Sequence, residues 1–356
     1  MKRKYLFYLA LFLYIACGTC FSQVSYAEGG TQADFGVGFN YKVVKPENQK
    51  STVGYFDLKM SPGQKQTVQI ELSNGTEHEM VIGVSLNGAK TNGNGVIEYG
   101  PTTIEDDKSL KYNFVDVVKG PKEVKIPAKS MVPLDLEITM PESSFDGSIS
   151  GGIQMKQITK EEKKEEKKAG ITNEYAFLVG MILNETDTKV EPDLAFNKAY
   201  AGLTNYRNAV FLNFSNVEAE YLEDMTVDAQ IMKGDSKEVL YDTKKAGMRM
   251  APNTMIDFPV EMNGDRMEPG EYTAHILVTA GDKKWEWTEK FSITDEEADK
   301  FNSQDVSLTQ ERGINWRLIA MIVGGVVVVA LIVFFVVRAI GNNNKKKKKQ
   351  LKKKKR

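Results

Sequence analysis

The sequence contains few of the side chains that enzymes and metalloproteins use for chemistry. Its 356 residues include only two histidines, His78 and His275, far apart in the chain, and two cysteines. It has no HExxH or GxSxG motif, so neither a zinc protease site nor a serine triad can be assembled. We therefore predict a protein that is not an enzyme and needs no metal or cofactor, with both histidines at the surface or bonded within the fold.

Both cysteines lie in the first twenty residues, where they would be lost from a processed protein. Basic MKRK precedes an apolar stretch that contains Cys17 and Cys20, and Ser25 and Ala27 supply small residues for cleavage after Ala27. This pattern predicts a secretion signal over residues 1–27. A lipoprotein would need a Leu-small-small pattern before a cysteine, which is lacking. The exported part should therefore contain no disulfide and be held together by burial.

One long charge-free run near the other end predicts a membrane anchor. Leu318–Val337 holds twenty uncharged residues between Arg317 and Arg338, which at about 1.5 Å per residue equals the roughly 30 Å of a bilayer core. Trp316 stands where indoles favour the headgroup layer. We predict a transmembrane helix over 316–338 and, by the positive-inside rule, a cytoplasmic Lys-rich tail over 339–356. The tail lacks interleaved aromatics, so nucleic-acid binding is not expected.

The net charge of −1 conceals an acidic exported part. The residues from Arg338 onward carry eleven positive charges and no negative ones, and residues 1–27 carry three positive charges. Removing both sets leaves about −15 for the exported part. A surface of this sign should not attract polyanions by bulk electrostatics.

The exported part has the short alternating segments of an all-β protein. Period-two runs such as QTVQIEL and VPLDLEITM are separated by Asn, Gly and Pro turns, which is typical of β-sandwiches. An internal repeat, in which a strand ends in Ser-Asn and later strands follow a Pro turn and a Gly turn, begins at 68–74 and again at 210–216. We predict two tandem immunoglobulin-like β-sandwiches followed by one C-terminal transmembrane helix. Only 295–306 indicates a short surface helix or stalk.

The charged run ITKEEKKEEKKAG, residues 158–170, admits two interpretations. It is either a linker between domains or the loop of a hairpin that pairs GSISGGIQM with the strand at 174–183. The hairpin is favoured because 174–183 would complete the sheet of the first sandwich. The joint between domains would then lie near 186–191.

Candidate sites are few. The acidic clusters Glu105-Asp106-Asp107 and Asp295-Glu296-Glu297 are interpreted as solvated turns, and TNGNGVIEYG, residues 91–100, as a polar turn whose Glu98 is misplaced for an EF-hand calcium site. The aromatics of the second domain could form a binding face: Tyr200, Tyr206, Tyr221, Tyr272, Trp285 and Trp287. Trp285 and Trp287 share one side of a strand, where they either pack in the core or form a platform for a sugar or protein.

Several segments resemble one family. YFDLKMSPGQKQTVQIELSN, TNGNGVIEYG, SLKYNFVDVV and MPESSFDGSISGGIQM are similar to the N-terminal, peptidoglycan-binding domain of WxL-interacting proteins of Gram-positive bacteria. ITNEYAFLVGMIL, LTNYRNAVFLNFSN, RMAPNTMIDFPV and KKWEWTEKFSIT resemble the second, host-binding domain. The two domains would occupy residues 35–156 and 166–305.

The resemblance implies a cell-surface adhesion or scaffold protein that binds peptidoglycan, WxL-domain surface proteins and host extracellular-matrix proteins. It supplies no residue-level binding site, so Trp285, Trp287 and Tyr206 remain the candidates. A WxL partner could dock on a strand edge by β-augmentation. A chaperone-like assembly factor that caps WxL proteins until they reach the wall is the alternative, and a wall hydrolase is a further, catalytic one.

Overall fold

The computed structural model describes residues 38–158 and 175–308, together with residues 321, 323 and 324. The predicted signal peptide lies outside the described residues, as do the cytoplasmic tail and nearly all of the charged run and of the predicted membrane helix. The flanking residues Trp316, Arg317 and Arg338 are also outside them. Within the described part, no helix combines the length and the apolar character needed to cross a bilayer.

The described residues form an almost entirely β structure, as predicted. The chain divides into two compact units. Unit 1 runs to Ala195 and also contains Ser215–Glu223 and Arg249–Ile256, whereas unit 2 contains Phe196–Phe214, Asp224–Met248 and the residues from Asp257 onward. The elements are β1 Phe39–Val44, β2 Phe56–Lys59, β3 Lys65–Asn74, β4 Met80–Gly88, β5 Lys90–Thr91, β6 Ile97–Glu98, α1 Phe114–Val117, β7 Val118–Lys119, β8 Glu123–Ile126, β9 Met131–Thr139, β10 Ser148–Gln157, β11 Ala176–Asn184, β12 Leu194–Thr204, β13 Arg207–Asn216, β14 Leu222–Lys233, β15 Val239–Met250, β16 Thr254–Glu261, β17 Gly270–Ala280, β18 Lys283–Ile293 and α2 Asp295–Gln304.

Two sheets enclose the core of unit 1. One has the order β1-β3-β9-β7 and the other β2-β11-β10-β4-β8. Alternation assigns the faces: in β3 the residues Val68, Ile70 and Leu72 are buried, whereas the residues between them are more exposed. Opposite them on β9, Leu134 pairs with Ile70 in the antiparallel register. The apolar residues of both sheets meet in one buried cluster, so this part of the chain is a β-sandwich.

The charged run connects two paired strands. β10 and β11 are antiparallel neighbours from Ser148↔Asn184 to Lys156↔Ala176, which is the hairpin pairing favoured from the sequence. β11 also pairs in parallel with β2, from Met181↔Phe56 to Asn184↔Lys59. The strand after the charged run therefore belongs to a sheet of unit 1, and residues 185–193 lead on to β12.

The downstream strands repeat the same order. Their sheets are β12-β13-β16 and β15-β14-β17-β18, which correspond to β1-β3-β9 and β8-β4-β10-β11 of unit 1. In unit 2 the Trp287 ring of β18 lies 5.9 Å from that of Phe196 and 6.0 Å from that of Phe214. These contacts join the two sheets, so the second set of strands is a sandwich as well.

The Ser-Asn repeat has the same structural role in both copies. Asn74, 3% exposed, donates its amide to the carbonyls of His78, Ile126 and Pro127. Asn216, fully buried, donates to the carbonyls of Glu220 and Ala251. In each copy a strand-terminal asparagine satisfies buried carbonyls of its own turn and of the turn that holds a proline. Buried carbonyls need such partners, because leaving one unpaired is costly.

The predicted short helix at 295–306 is present as α2. Thr294 caps it: its hydroxyl accepts the Glu297 N–H, and the Glu297 carboxylate accepts the Thr294 N–H, which makes a capping box. On its buried side, the Asn302 side chain donates to the Met267 carbonyl at 2.9 Å and accepts the Met267 N–H at 2.8 Å. These bonds fix α2 against unit 2, so its first two turns are not a free stalk.

Candidate functional site

A cavity of about 210 Å³ that is open to solvent lies within unit 1. Its walls come from the end of β4, from residues 106–114, from residues 145–150, and from residues 217–219 and 252–253, all of which belong to unit 1. We call it the unit 1 cavity. Ligand sites are concave, largely apolar and equipped with a few convergent polar groups, so its lining decides what it can bind.

Two aromatic rings form one wall of the unit 1 cavity. The rings of Tyr112 and Phe145 have centroids 5.4 Å apart and planes inclined by 51°. The Lys111 amine lies 4.9 Å from the Tyr112 ring centroid, within cation–π range. Both rings are only partly buried, so they present apolar surface to the space between the walls.

The charged groups of the lining are mainly acceptors. Asp106, Asp146 and Glu218 contribute carboxylates, and the exposed Lys111 is a cation among them. Asp106 also pairs with Lys90 and accepts the Asn113 amide at 2.9 Å. Among the described residues, the Glu218 carboxylate has no hydrogen bond or ion pair. It is therefore available to accept from a ligand.

Asp107 anchors the segment that carries the aromatic wall. Its carboxylate accepts the Ser109 N–H at 2.8 Å, the Ser109 hydroxyl at 2.6 Å and the Ser215 hydroxyl. Burial alone would raise the pKa of Asp107, but these hydrogen bonds lower that pKa by more, so the net shift is downward. The expectation of a solvated turn is therefore wrong for Asp107, which is 6% exposed; it holds for the exposed Glu105.

Two consecutive glycines of β10 permit close packing on the sheet, one of them beneath Phe114, a residue of the cavity wall. A Cβ on Gly151 would lie 2.2 Å from the Phe114 ring and 2.6 Å from the Asn87 carbonyl oxygen. A Cβ on Gly152 would lie 2.5 Å from the Tyr99 carbonyl oxygen. Phe114 is 1% exposed and also lines the cavity. Glycine is thus required where this ring packs directly on the sheet.

The loop at 91–100 is a tight hairpin turn. β5 and β6 pair through Lys90↔Glu98 and Thr91↔Ile97. The side-chain oxygen of Asn92 accepts the Asn94 and Val96 N–H groups, and the side-chain amide of Asn92 donates to the Glu98 carboxylate at 2.7 Å. These contacts support a polar turn. In the described ranges, no group of three or more His, Cys, Asp or Glu side chains is arranged to hold a metal ion.

The histidines occupy separate places. His78 is exposed in the turn after β3, where its carbonyl accepts the Asn74 amide. His275 lies on β17, with Nδ1 3.1 Å from the Thr288 hydroxyl and Nε2 3.5 Å from the Glu286 carboxylate.

The aromatics predicted as a binding face are divided among different places. Trp287 packs against two rings of the facing sheet, which supports the core-packing alternative for that residue. Trp285 is half-buried on the same strand, with the Lys283 amine 6.0 Å from its ring. Tyr206, by contrast, is 72% exposed at the turn between β12 and β13. It is the one predicted candidate that is largely free to meet a partner.

The remaining tyrosines of that group are partly or fully packed. Tyr200 stacks on Phe211 with centroids 5.5 Å apart. Burial raises the pKa of Tyr200, and the nearby Asp257 carboxylate raises it further. Tyr272 stacks on Phe291 at 5.6 Å. The Tyr221 hydroxyl bonds to Ser150 within unit 1, and burial raises the pKa of Tyr221. These three therefore act chiefly in packing.

Sequence reasoning missed the unit 1 cavity. Tyr112 and Phe145 lie in segments without strand periodicity, 33 residues apart, and nothing in their spacing indicates that they meet. The only signal was their location between strands, Tyr112 in the long insert between β4 and β8 and Phe145 in the connection between β9 and β10, because binding residues concentrate in such connections.

Comparisons with known proteins agree on the family. Residues 39–157 match the peptidoglycan binding domain of the WxL Interacting Protein, and residues 166–303 match its host binding domain. The boundary between the two matches falls before β11, although β11 pairs with strands of unit 1. No curated protein matches the sequence.

Similar solved structures are remote. The YadV chaperone is 11% identical, with 72% of this chain and 100% of that chain covered and a TM-score of 0.28. The Pseudomonas aeruginosa CupB2 chaperone is 10% identical, with 65% and 95% covered and a TM-score of 0.27. PapD-like domain 7 of human CEP192 is 9% identical, with 47% and 99% covered and a TM-score of 0.27. Likeness at this level indicates neither a shared function nor a shared site. The two domain matches, consecutive and in the order expected from the sequence, show that the chain belongs to the WxL Interacting Protein family.

Proposed function

We propose that this protein is a non-enzymatic scaffold at the cell surface, anchored by a single C-terminal membrane helix, that binds peptidoglycan and WxL-domain proteins and contacts host matrix proteins. The observation that carries the proposal is the pair of family matches, which together span 39–157 and 166–303. Peptidoglycan binding is assigned to the first domain and host binding to the second.

The negative charge of the exported part favours peptidoglycan binding by hydrogen bonds and ring stacking. About −15 charges over the region between signal and tail would repel an anionic wall polymer at long range. A cationic patch is therefore not the basis of binding. Neutral glycan strands remain suitable ligands, because they offer hydroxyls, amides and apolar ring faces.

Retention on purified cell walls tests the proposal. Full-length protein is incubated separately with purified sacculi and with a WxL-domain protein from the same organism, and bound protein is measured after sedimentation or affinity capture. We expect retention by both, and no release of muropeptides. Retention by neither would refute the scaffold. Release of the WxL protein once it reaches the wall would favour an assembly factor instead.

The anchor needs its own test. Protease added to intact cells should digest the β-rich part and leave a small membrane-bound fragment with the Lys-rich tail, as detected by an antibody to residues 339–356. Protection of the β-rich part until lysis would refute the orientation.

Exposed aromatics of unit 2 are proposed contacts for a host or WxL protein. Tyr206 is the best placed, because its ring is 72% exposed; Trp285 and Trp287 contribute only the surface that their packing leaves free. Tyr206→Ala should weaken protein capture while retention on sacculi stays unchanged. Equal capture by the variant and the unmodified protein would exclude Tyr206 from the contact.

A further inference from the structure

We infer that the unit 1 cavity binds one neutral amino-sugar residue of a glycan strand. This inference rests on the proposed peptidoglycan-binding function and deepens it by assigning the ligand chemistry and the residues. The cavity walls, the free polar groups and the sign of the lining charges carry the argument.

Size limits the ligand to part of a polymer. At about 210 Å³ the cavity is smaller than the roughly 300–1,000 Å³ that encloses a drug-sized molecule. Partly exposed residues such as Lys111 and Asp146 lie at its boundary, so the space is open to solvent. A single sugar ring could enter while the rest of the strand stays outside.

The aromatic wall suits the apolar face of a pyranose. Tyr112 and Phe145 are inclined by 51°, so together they form an angled surface that can contact two sides of a ring. Their own mutual contact fixes both rings before a ligand arrives, which lowers the entropy lost on binding. In the described part of the chain, the Tyr112 hydroxyl has no hydrogen-bond partner and can pair with a sugar hydroxyl.

The polar groups select a ligand that donates hydrogen bonds. Ionised carboxylates only accept, and the lining contains three of them, Asp106, Asp146 and Glu218, against the single amine of Lys111. The other donors of the lining include the amides of Asn113 and Asn253 and the hydroxyl of Ser109, and these three donate to protein acceptors. Sugar hydroxyls and an acetamido N–H are donors, so they complement this lining. A stem peptide that ends in a carboxylate would be repelled by the same groups.

Pre-formed contacts keep this lining in place without a ligand. The Asn113 amide donates to Asp106 at 2.9 Å, and Asp107 fixes the start of the segment through Ser109. Glu218 is the carboxylate left without a partner among the described residues, so it is the acceptor that we assign to the acetamido N–H. The hydroxyl of Tyr112 is assigned to a ring hydroxyl.

Calorimetric titration of the full-length protein with chitotriose, a trimer of N-acetylglucosamine, tests the inference. Cellotriose, which carries hydroxyls in place of acetamido groups, and a synthetic stem peptide are titrated in parallel. We expect binding of chitotriose, at least tenfold weaker binding of cellotriose, and no binding of the peptide. Equal binding of both trisaccharides, or binding of the peptide alone, would overturn the assignment.

Two conservative substitutions locate the site. Glu218→Gln replaces the charged acceptor of the acetamido N–H by a weaker, neutral amide oxygen, and Tyr112→Phe removes the assigned hydroxyl. Both keep the shape of the wall, so each should weaken chitotriose binding by about tenfold. Glu142→Gln and Tyr175→Phe are matched controls at exposed positions of unit 1 outside the cavity lining, and both should bind like the unmodified protein.

The same variants separate failure of the site from failure of the function. If Glu218→Gln and Tyr112→Phe bind chitotriose normally, or if the unmodified protein is retained by sacculi but binds no chitotriose, the cavity is not the site although peptidoglycan binding stands. If the unmodified protein is not retained by sacculi, the proposed function itself fails, and this inference fails with it.

Discussion

Replacing Gly151 by alanine should destabilise the protein through a single, locatable clash. The added Cβ would lie 2.2 Å from the Phe114 ring on one side and 2.6 Å from the Asn87 carbonyl oxygen on the other. The ring cannot swing into solvent, because Phe114 is 1% exposed. The carbonyl belongs to β4, which is paired with β10, so it cannot retreat without breaking the ladder.

The cost can be bracketed. Overpacking a close-packed core typically costs about 1–3 kcal/mol. Loss of glycine's freedom in the unfolded chain returns about 0.4–1 kcal/mol, since Gly151 has no left-handed backbone that alanine would strain. The net loss should therefore lie between about 0 and 2.6 kcal/mol in the free energy of unfolding, and we expect the upper half of that range because neither contacting atom can move away. For a unit of this size, each kcal/mol lowers Tm by about 2–4 °C.

Scanning calorimetry of the full-length protein measures this shift. Gly54→Ala is the matched control, because a Cβ there meets nothing within 4 Å, and its Tm should equal or slightly exceed that of the unmodified protein. Gly151→Ala should also weaken chitotriose binding, since Phe114 lines the unit 1 cavity. If Gly151→Ala and Gly54→Ala have the same Tm, the close packing of Phe114 against β10 is refuted.

Three further predictions follow from individual contacts. Hydrogen bonds hold the pKa of Asp107 below its ordinary 3.8, so the ionised carboxylate stabilises the fold above about pH 4 and this contribution is lost as the pH falls through the lower pKa of the folded protein. The Tm should therefore fall as the pH drops below about 4, and it should fall less steeply for Asp107→Asn than for the unmodified protein. Trp287→Ala should cost about 2 kcal/mol in chemical unfolding, because it empties the space between two rings, whereas Tyr206→Ala should change stability by less than about 0.5 kcal/mol; the reverse order would refute the inward placement of Trp287. Asn74→Ala should cost about 2–3 kcal/mol because buried carbonyls lose their donor, and Asn40→Ala, at an exposed position, should cost almost nothing; equal unfolding midpoints would contradict that role.

The strands could be predicted because a strand with one buried face alternates apolar and polar residues in its sequence. In β3 and β9 every second residue is apolar, and these are the residues that face the core. The β10–β11 pairing could be inferred across the charged run because both strands have apolar faces to bury. The Ser-Asn repeat could also be seen, although its cause, the bonding of turn carbonyls by Asn74 and Asn216, emerges only from the structure.

The candidate site could not be predicted because its residues lie largely in loops, whose sequences have no such regular alternation. Asp107 belongs to a dense acidic triplet, which is typical of a solvated turn, yet its burial depends on Ser215, 108 residues away. No local pattern encodes that contact. The contact between Tyr112 and Phe145 likewise depends on residues far apart in the chain, and so does the position of the Glu218 carboxylate, which has no partner among the described residues. Alternation also could not decide between core and platform for Trp285 and Trp287, since residues i and i+2 share a face whichever way that face points.

The parallel pairing of β2 with β11 has a mechanical consequence. β2 comes early in the sequence of unit 1 and β11 is the last strand of the same sheet along the chain, and they run in the same direction from Met181↔Phe56 to Asn184↔Lys59. A pull that enters the chain before Phe56 and leaves it after Asn184 would slide these strands past each other. Their bridging bonds would then bear the load together and would not open one at a time, so unit 1 could resist tension applied along this direction without a covalent cross-link.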